Sequence, residues 1–258
     1  AIEKTVTDAG FSLVMQQIPS CGDEVQRAAV MEREKRLRGI IFLGGRLDYS
    51  PEDLAMLNVP YVCCSYSNQY GTLRIGEYSA VSIADEEAAQ QAVDHLYGHG
   101  HRRIAALICR PDDQSISQLR YQGYCKALSS HGIPLDPELV MCAGSFDIRD
   151  AYDAVCEKLR QGAEFTALFA IADSMAIGAM RALRDEGRAV PQDCSVIAID
   201  GLELSAYIEP PLTTLCQPME AMGQRSAQIL LGLIHGHGAH CCEVLPTQLR
   251  QGGSVQDI

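Results

Sequence analysis

The chain has 258 residues, of which 47% are hydrophobic and 21% charged, a composition typical of ordinary globular proteins. A formal net charge of −12 opposes binding to a polyanion such as nucleic acid. No apolar run approaches the ~20 residues of a membrane-spanning helix, and the N-terminus lacks the pattern of a signal peptide. We therefore expect a cytoplasmic protein of two domains, since domains average about 150 residues, whose eleven cysteines are reduced core thiols.

In chain order, apolar strand patterns alternate with amphipathic helix patterns. The predicted strands are Phe11 to Gln16, Gly39 to Leu43, Tyr61 to Cys64, Ala80 to Ile83, Arg103 to Cys109, Leu139 to Cys142, Ala167 to Ala172, Ser195 to Asp200 and Val244 to Leu249. The predicted helices are Asp23 to Leu37, Asp85 to Gly98, Ser117 to His131, Asp147 to Arg160, Ser174 to Glu186 and Met219 to Ile234. This alternation predicts an α/β fold with parallel sheets covered by helices.

Local signals mark several helix ends. Asp85, Asp147 and Asp173 are predicted N-caps, because a short carboxylate side chain can accept a bond from a free backbone N–H group. Gly132, Gly162 and Gly187 follow predicted helices at the position where a C′ glycine is expected. These signals separate the helices from the strands that follow them.

Pro191 to Leu215 is the most informative segment. Cys194 to Ile199 is almost wholly apolar, as a strand covered on both faces is, and Asp200 follows at its carboxyl end. Ligands of open α/β sheets bind outside the carboxyl ends of the strands. A Pro-Pro-Leu-Thr-Thr sequence then follows from Pro210. This arrangement resembles the effector-sensing core of the lactose/galactose-repressor (LacI/GalR) family of bacterial regulators.

Further motifs in the same order strengthen the resemblance. They are AIEKTVTDAGFSLVM from Ala1, LYGHGHRRIAA from Leu96, RYQGY from Arg120, HGIPLDPELV from His131 and ALFAIADSMAIGAMRALR from Ala167. Each motif is weak alone, but five with compatible spacing are a strong signal. The resemblance covers nearly the whole chain.

The resemblance implies the periplasmic-binding-protein-like type I fold, with two doubly wound parallel-sheet lobes, three crossovers and a ligand cleft. On this basis we expect an N-terminal lobe of residues 1–98 and 215–240 and a C-terminal lobe of residues 99–214 and 241–258. The family's first strand and its DNA-binding headpiece have no counterpart in the sequence. We therefore expect the chain to be part of a longer polypeptide.

Candidate effector-binding residues also follow from the resemblance. Arg120 matches the family's effector-binding arginine, and its guanidinium fork suits two hydroxyls or a carboxylate. Asp200 can accept bonds from a polyol, or it can cap the segment that follows, and we expect it to face Arg120 across the cleft. Asp173 is expected chiefly as a helix cap, with ligand contact as the alternative. Gln217 and Tyr66 are weaker candidates.

Two positions depart from the family pattern and put a standard hexose pose in doubt. Ala172 stands where the family often has Asn. Ala84 and Asp85 stand where it often has an Asp-Asn pair.

One segment carries residues that suit a metal. His235, His237, His240, Cys241 and Cys242 could in principle hold zinc, but their spacing matches no known finger. A surface loop is the favoured interpretation, and we expect neither a metal nor another cofactor.

The predicted function is a ligand-sensing domain that binds a small polar effector, expected to be a carbohydrate, and changes operator binding through the missing headpiece. We expect a homodimer with no membrane partner. The alternative is a solute-binding protein of a sugar transporter. An enzyme ranks third, because the common phosphate-binding and nucleophile motifs are absent from the sequence.

Overall fold

The computed structural model describes residues 1–18, 22–112 and 114–258, and the chain folds into two units. The first unit contains Ala1–Ile83 and Pro218–Pro246, and the second contains Ala84–Gln217 and Thr247–Ile258. The chain thus passes from one unit to the other after Ile83, after Gln217 and after Pro246.

The described helices and strands alternate along the chain as the sequence predicts. In order they are α1 (Ile2–Asp8), α2 (Glu24–Lys35), β1 (Ile40–Leu43), α3 (Pro51–Leu54), β2 (Tyr61–Cys64), β3 (Ala80–Ser82), α4 (Asp85–Gly98), β4 (Ile104–Ile108), α5 (Ile116–Ser130), β5 (Val140–Cys142), α6 (Ile148–Arg160), β6 (Ala167–Ala170), α7 (Asp173–Asp185), β7 (Ser195–Asp200), β8 (Thr213–Cys216), α8 (Met219–Ile234), β9 (Cys242–Val244) and β10 (Gln248–Arg250). Short 3₁₀ turns lie at Pro137–Leu139 and Leu204–Ala206. The predicted α/β fold with parallel sheets is confirmed.

The first unit is built on a four-stranded parallel sheet in the order β1-β2-β3-β9. Helix α8 packs on this sheet, and the side chains of Leu230 and Ile234 lie against Gly39, just before β1. The predicted strand Phe11 to Gln16 is wrong, because these residues form no strand and are largely exposed. Strand β1 pairs only with β2 among the described residues, and the segment Phe11 to Gln16 does not pair with the remaining edge of β1, so its backbone groups have no strand partner there.

The second unit holds a six-stranded sheet in the order β10-β8-β7-β6-β4-β5, in which only β10 runs antiparallel to its neighbour. Strand β7 lies inside the sheet with its first five residues buried, as its apolar sequence predicts. The predicted strand Val244 to Leu249 is instead two short strands, one in each unit. Pro246, which has no N–H group, lies at the crossing between them.

The boundary predicted at residue 98 is too late, because α4 belongs to the second unit. This helix packs tightly on α5. A Cβ atom on Gly123 would lie 2.1 Å from the carbonyl oxygen of Glu86. The glycines at 98 and 100, beside the expected boundary, therefore mark the end of a helix and not the end of a unit. The other two crossings, in contrast, lie downstream of the expected residues 214 and 240.

The helix-end predictions divide into two groups. Asp147 is an N-cap, with its carboxylate accepting from the backbone N–H of Arg149 at 2.7 Å, and the three predicted C′ glycines all have positive φ. Asp85 and Asp173 are not caps, because the cap positions fall one residue earlier, on Ala84 and Ala172. Both carboxylates are buried and bind other partners.

No described helix is both long and apolar enough to cross a membrane.

Candidate functional site

The candidate site lies at the carboxyl end of β7, where Asp200 has a φ of +136° and Gly201 one of +77°. A positive φ is unfavourable for a residue with a side chain and persists only where neighbouring structure fixes it. Here the carbonyl of Asp200 accepts from the backbone N–H of Gln217 at 3.0 Å. A Cβ atom on Gly201 would lie 2.5 Å from Cys216 Sγ, so only glycine fits there. The conformation thus turns the chain sharply directly after Asp200.

Arg120 lies in the first turns of α5, and its side chain is only 3% exposed. Its Nε donates to Asp85 Oδ1 at 2.8 Å, and its Nη1 donates to the carbonyl of Ile171 and to Asp200 Oδ1, the latter at 3.2 Å. The guanidinium therefore ties together the start of α4, the end of β6 and the end of β7. We expected Arg120 and Asp200 on facing sides of a cleft. Both lie in the second unit, as the expected lobe bounds imply, but they contact each other directly.

Two carboxylates share this one guanidinium. Burial raises the pKa of Asp85, and attraction to Arg120 offsets only part of this effect. Burial would lower the pKa of Arg120, but attraction to Asp85 and Asp200 outweighs burial and raises it. Arg120 therefore remains a buried cation, and the three side chains together carry one net negative charge when both carboxylates are ionised.

Gln217 completes the cluster by donating from Nε2 to Asp200 Oδ1 at 2.7 Å. The side chain of Asp200 is 20% exposed, whereas Asp85 is 6% exposed. Among the described residues, none donates a hydrogen bond to Asp200 Oδ2 or accepts one from Arg120 Nη2. A hydroxyl group both donates and accepts, so this acceptor and donor suit a polyol.

Asp173 lies beside this cluster and has no exposed side-chain surface. Its Oδ2 accepts from the backbone N–H of Leu202 at 2.8 Å and from the hydroxyl of Ser205 at 2.7 Å. Its Oδ1 accepts from the hydroxyl of Thr214 at 2.6 Å, and the guanidinium of Arg250 lies 4.0 Å away. Burial raises the pKa of Asp173, although the hydroxyls of Thr214 and Ser205 counter part of the effect. Asp173 thus links the loop after β7 to β8 from a buried position, and it is not the expected helix cap.

Tyr66 lies in the first unit and is not part of this cluster. Its side chain is buried, its ring stacks on Tyr49 with 5.5 Å between centroids, and its hydroxyl donates to Asn68 at 2.7 Å. Its role as a weaker candidate for effector contact stays a prediction. Tyr66 belongs to the aromatic core of the first unit.

The histidine and cysteine segment does not come together as a metal shell. His235 packs edge-on against Phe11, His240 Nδ1 lies 3.1 Å from Ser79 Oγ, and Cys242 Sγ lies 3.9 Å from the carbonyl of Tyr78. Cys241 Sγ lies 3.9 Å from a carboxylate oxygen of Glu243, and His237 is exposed. Within the described ranges, no group of three or more His, Cys, Asp or Glu side chains is arranged to hold a metal ion.

The structure thus brings together Arg120, Asp200 and Gln217, with Asp173 adjacent. Sequence reasoning missed the partners Asp85, Ser205, Thr214 and Arg250. One signal could have pointed to Thr214, since a polar residue in an apolar strand that is fully buried needs a hydrogen-bond partner.

The fold and this site define a class: two-unit α/β domains that bind a small ligand at the carboxyl ends of parallel strands. A family model for the periplasmic binding protein-like domain matches residues 93–255. The regulator MalR of Clostridium butyricum is 32% identical over the whole chain, which spans 76% of MalR. The regulator CelR of Thermobifida fusca is 34% identical over 90% of the chain and 66% of its own length.

Solved structures give the same result. A CelR–cellobiose complex matches 98% of the chain and 76% of its own chain, with a TM-score of 0.85 and 30% identity. A lac repressor dimer bound to operator and the anti-inducer ONPF matches 99% of the chain and 87% of its own, with a TM-score of 0.83 and 27% identity. The chain belongs to the LacI family of transcriptional regulators, and it corresponds to their effector-binding core.

Proposed function

We propose that the chain senses a neutral sugar through Asp200, Arg120 and Gln217, and that binding changes how the regulator holds its operator DNA. The observation that carries this proposal is that Asp200 Oδ2 and Arg120 Nη2 have no hydrogen-bond partner among the described residues, while the Asp200 side chain is 20% exposed. The similar CelR structure contains cellobiose, which supports a carbohydrate effector. An effector shifts such a regulator only by its differential affinity for the two states of the protein.

The proposal extends to assembly and location. We propose a homodimer, since the similar lac repressor structure is a dimer on its operator and a two-fold operator needs two symmetric cores. We place the protein in the cytoplasm, where operator DNA lies, and propose that it has no catalytic role. The relatives described above are regulators, which favours this function over solute capture for a transporter.

Calorimetric titration with neutral monosaccharides and disaccharides, cellobiose and maltose among them, tests the effector class. Asp200→Asn keeps the size of the side chain but removes its charge, and a hydrogen bond between a hydroxyl and a charged group contributes about 1.5–3 kcal/mol. We therefore expect sugar affinity to fall by roughly tenfold to a hundredfold.

Asp153→Asn is the matched control, because it removes the same charge from an exposed carboxylate on α6. This variant should bind the sugar as the unmodified chain does. Equal affinity in Asp200→Asn and Asp153→Asn would place the ligand elsewhere. Absence of binding to every sugar at millimolar concentration would contradict the proposed effector class.

A further inference from the structure

The buried carboxylate of Asp173 joins three parts of the second unit to the start of α7. Leu202 and Ser205 lie in the loop after β7, Thr214 lies on β8, and Arg250 lies on β10. Burying a carboxylate is costly unless its oxygens are paired. Here both oxygens accept hydrogen bonds and a guanidinium lies near, so the group is held in one arrangement.

The loop that Asp173 binds begins directly after Asp200. Asp173 accepts the N–H of Leu202, while Arg250 donates to the carbonyls of Gly201 and Leu202 at 3.4 and 3.1 Å. The loop is therefore held through an N–H by Asp173 and through two carbonyls by Arg250. This matters because Asp200 has an unfavourable φ, which neighbouring contacts must maintain.

We infer that Asp173 is a positioning residue for effector binding: by fixing residues 201–205 and Thr214, it holds the Asp200 carboxylate in the orientation that accepts the effector. Asp173 does not touch the effector, because its side chain has no exposed surface. The inference rests on the proposed function in that Asp200 is taken as the residue that binds the effector. It goes beyond that proposal by assigning the geometry of Asp200 to a group outside the binding surface.

Variants at Thr214 test its hydrogen bond to Asp173 while leaving the buried carboxylate in place. Thr214→Val keeps the shape of the side chain and removes the hydroxyl that donates to Asp173, whereas Thr214→Ser keeps the hydroxyl. We expect sugar affinity to fall about threefold to tenfold in Thr214→Val and to stay within about twofold in Thr214→Ser. Asp173→Asn removes the negative charge and replaces one accepting oxygen by an amide donor, which weakens the charge-assisted hydrogen bonds from the Leu202 N–H and the two hydroxyls. The sugar affinity of this variant should fall by about tenfold or more.

Ser254→Ala is the control for a loss of stability alone. Ser254 is also fully buried and makes two hydrogen bonds, accepting from the N–H of Thr213 and donating to the carbonyl of Val196, but it does not contact the loop after Asp200. This variant should melt at a lower temperature and bind sugar within about twofold of the unmodified chain. All affinities are measured well below the melting temperatures.

Amide hydrogen exchange on the chain without ligand supplies a second measurement. We expect faster exchange in peptides covering residues 200–206 in Asp173→Asn and Thr214→Val, and unchanged exchange there in Ser254→Ala and Thr214→Ser. Equal affinity losses in Thr214→Val and Ser254→Ala, or unchanged exchange at residues 200–206 in Thr214→Val, would overturn the inference. If the unmodified chain binds no sugar, the proposed effector class fails, and exchange alone then decides whether Asp173 fixes the loop.

Discussion

At the scale of single residues, Arg120 carries the largest expected effect on stability. Removing one partner of a buried ion pair leaves an uncompensated charge and typically costs about 3–5 kcal/mol. Arg120→Met leaves Asp85, which is 6% exposed, without its cation. We expect the free energy of unfolding of the second unit, measured by urea denaturation, to fall by about that amount.

Two further variants separate this effect from a simple loss of packing. Arg120→Met combined with Asp85→Ala removes both charges of the Arg120–Asp85 pair and should recover part of the stability lost in the single variant. Arg149→Met breaks an exposed ion pair with Asp153 and should change stability by less than about 1 kcal/mol. If the double variant is no more stable than Arg120→Met alone, burial of the Asp85 charge is not the cause.

The same residues mark how far sequence reasoning reaches. Arg120 and Asp200 were found because each occupies a motif position at a predictable end of a helix or strand. The pairing of Arg120 with Asp85 was not found, since it joins residues 35 apart in sequence through the packing of two helices. For Asp173, a shift of one residue in the helix start decides between a surface cap and a buried junction, and sequence patterns do not locate helix ends that closely.

At the scale of elements, Gly123 explains why the RYQGY motif contains a glycine inside a helix. A Cβ atom at this position would lie 2.1 Å from the carbonyl oxygen of Glu86 and 2.8 Å from the Cβ of Ala89. The glycine lets α5 approach α4 closely, and the hydroxyl of the next residue, Tyr124, donates to the carbonyl of Ile104. In this motif the glycine thus permits close helix packing, and Arg120 belongs to the candidate site.

Gly123→Ala should therefore destabilise the protein, although alanine favours helix formation by about 1 kcal/mol over glycine. Overpacking a close contact costs about 1–3 kcal/mol, and here the contact is with backbone, which cannot move aside alone. Gly98→Ala is the control, because a Cβ atom at this last residue of α4 meets no atom within 4 Å. Melting curves check both variants. A melting temperature for Gly123→Ala equal to or above that of Gly98→Ala would contradict the packing argument.

Most elements were predictable because their periodicity is set by burial on both faces of a sheet or on one face of a helix. Strand β7 was found with its observed bounds, Ser195–Asp200. The segment Phe11 to Gln16 was not, because a strand exists only where a paired neighbour satisfies its backbone groups. Its apolar sequence carries the propensity of a strand, but no neighbouring strand pairs with it among the described residues.

At the scale of the whole molecule, the three crossings enter or leave the second unit close to the candidate site. Asp85 follows the first crossing, Gln217 precedes the second, and β10, which carries Arg250, follows the third. Sequence reasoning predicted three crossings but placed the first one helix too late. Composition alone gave no help there, because no linker of distinct composition separates the units.

Charge is the property of the whole molecule that bears most directly on DNA. Binding to a duplex depends on Lys and Arg side chains that neutralise phosphates and release counterions. The chain has 21 Lys and Arg residues against 33 Asp and Glu residues, so its average field repels a polyanion. We therefore expect these 258 residues to retain operator-length DNA no better than non-specific background, on the order of 10⁻⁴–10⁻⁶ M at physiological salt.

An electrophoretic shift assay at two salt concentrations, with and without competitor DNA, checks this expectation. Weak retention through a local basic patch would grow steeply as salt is lowered and would be lost to competitor, because it comes from phosphate contacts alone. Sequence-specific retention that survives competitor at physiological salt would require contacts to base edges, which phosphate neutralisation does not supply. Such a result would contradict the assignment of these residues to effector sensing alone and would place a DNA-reading surface within them.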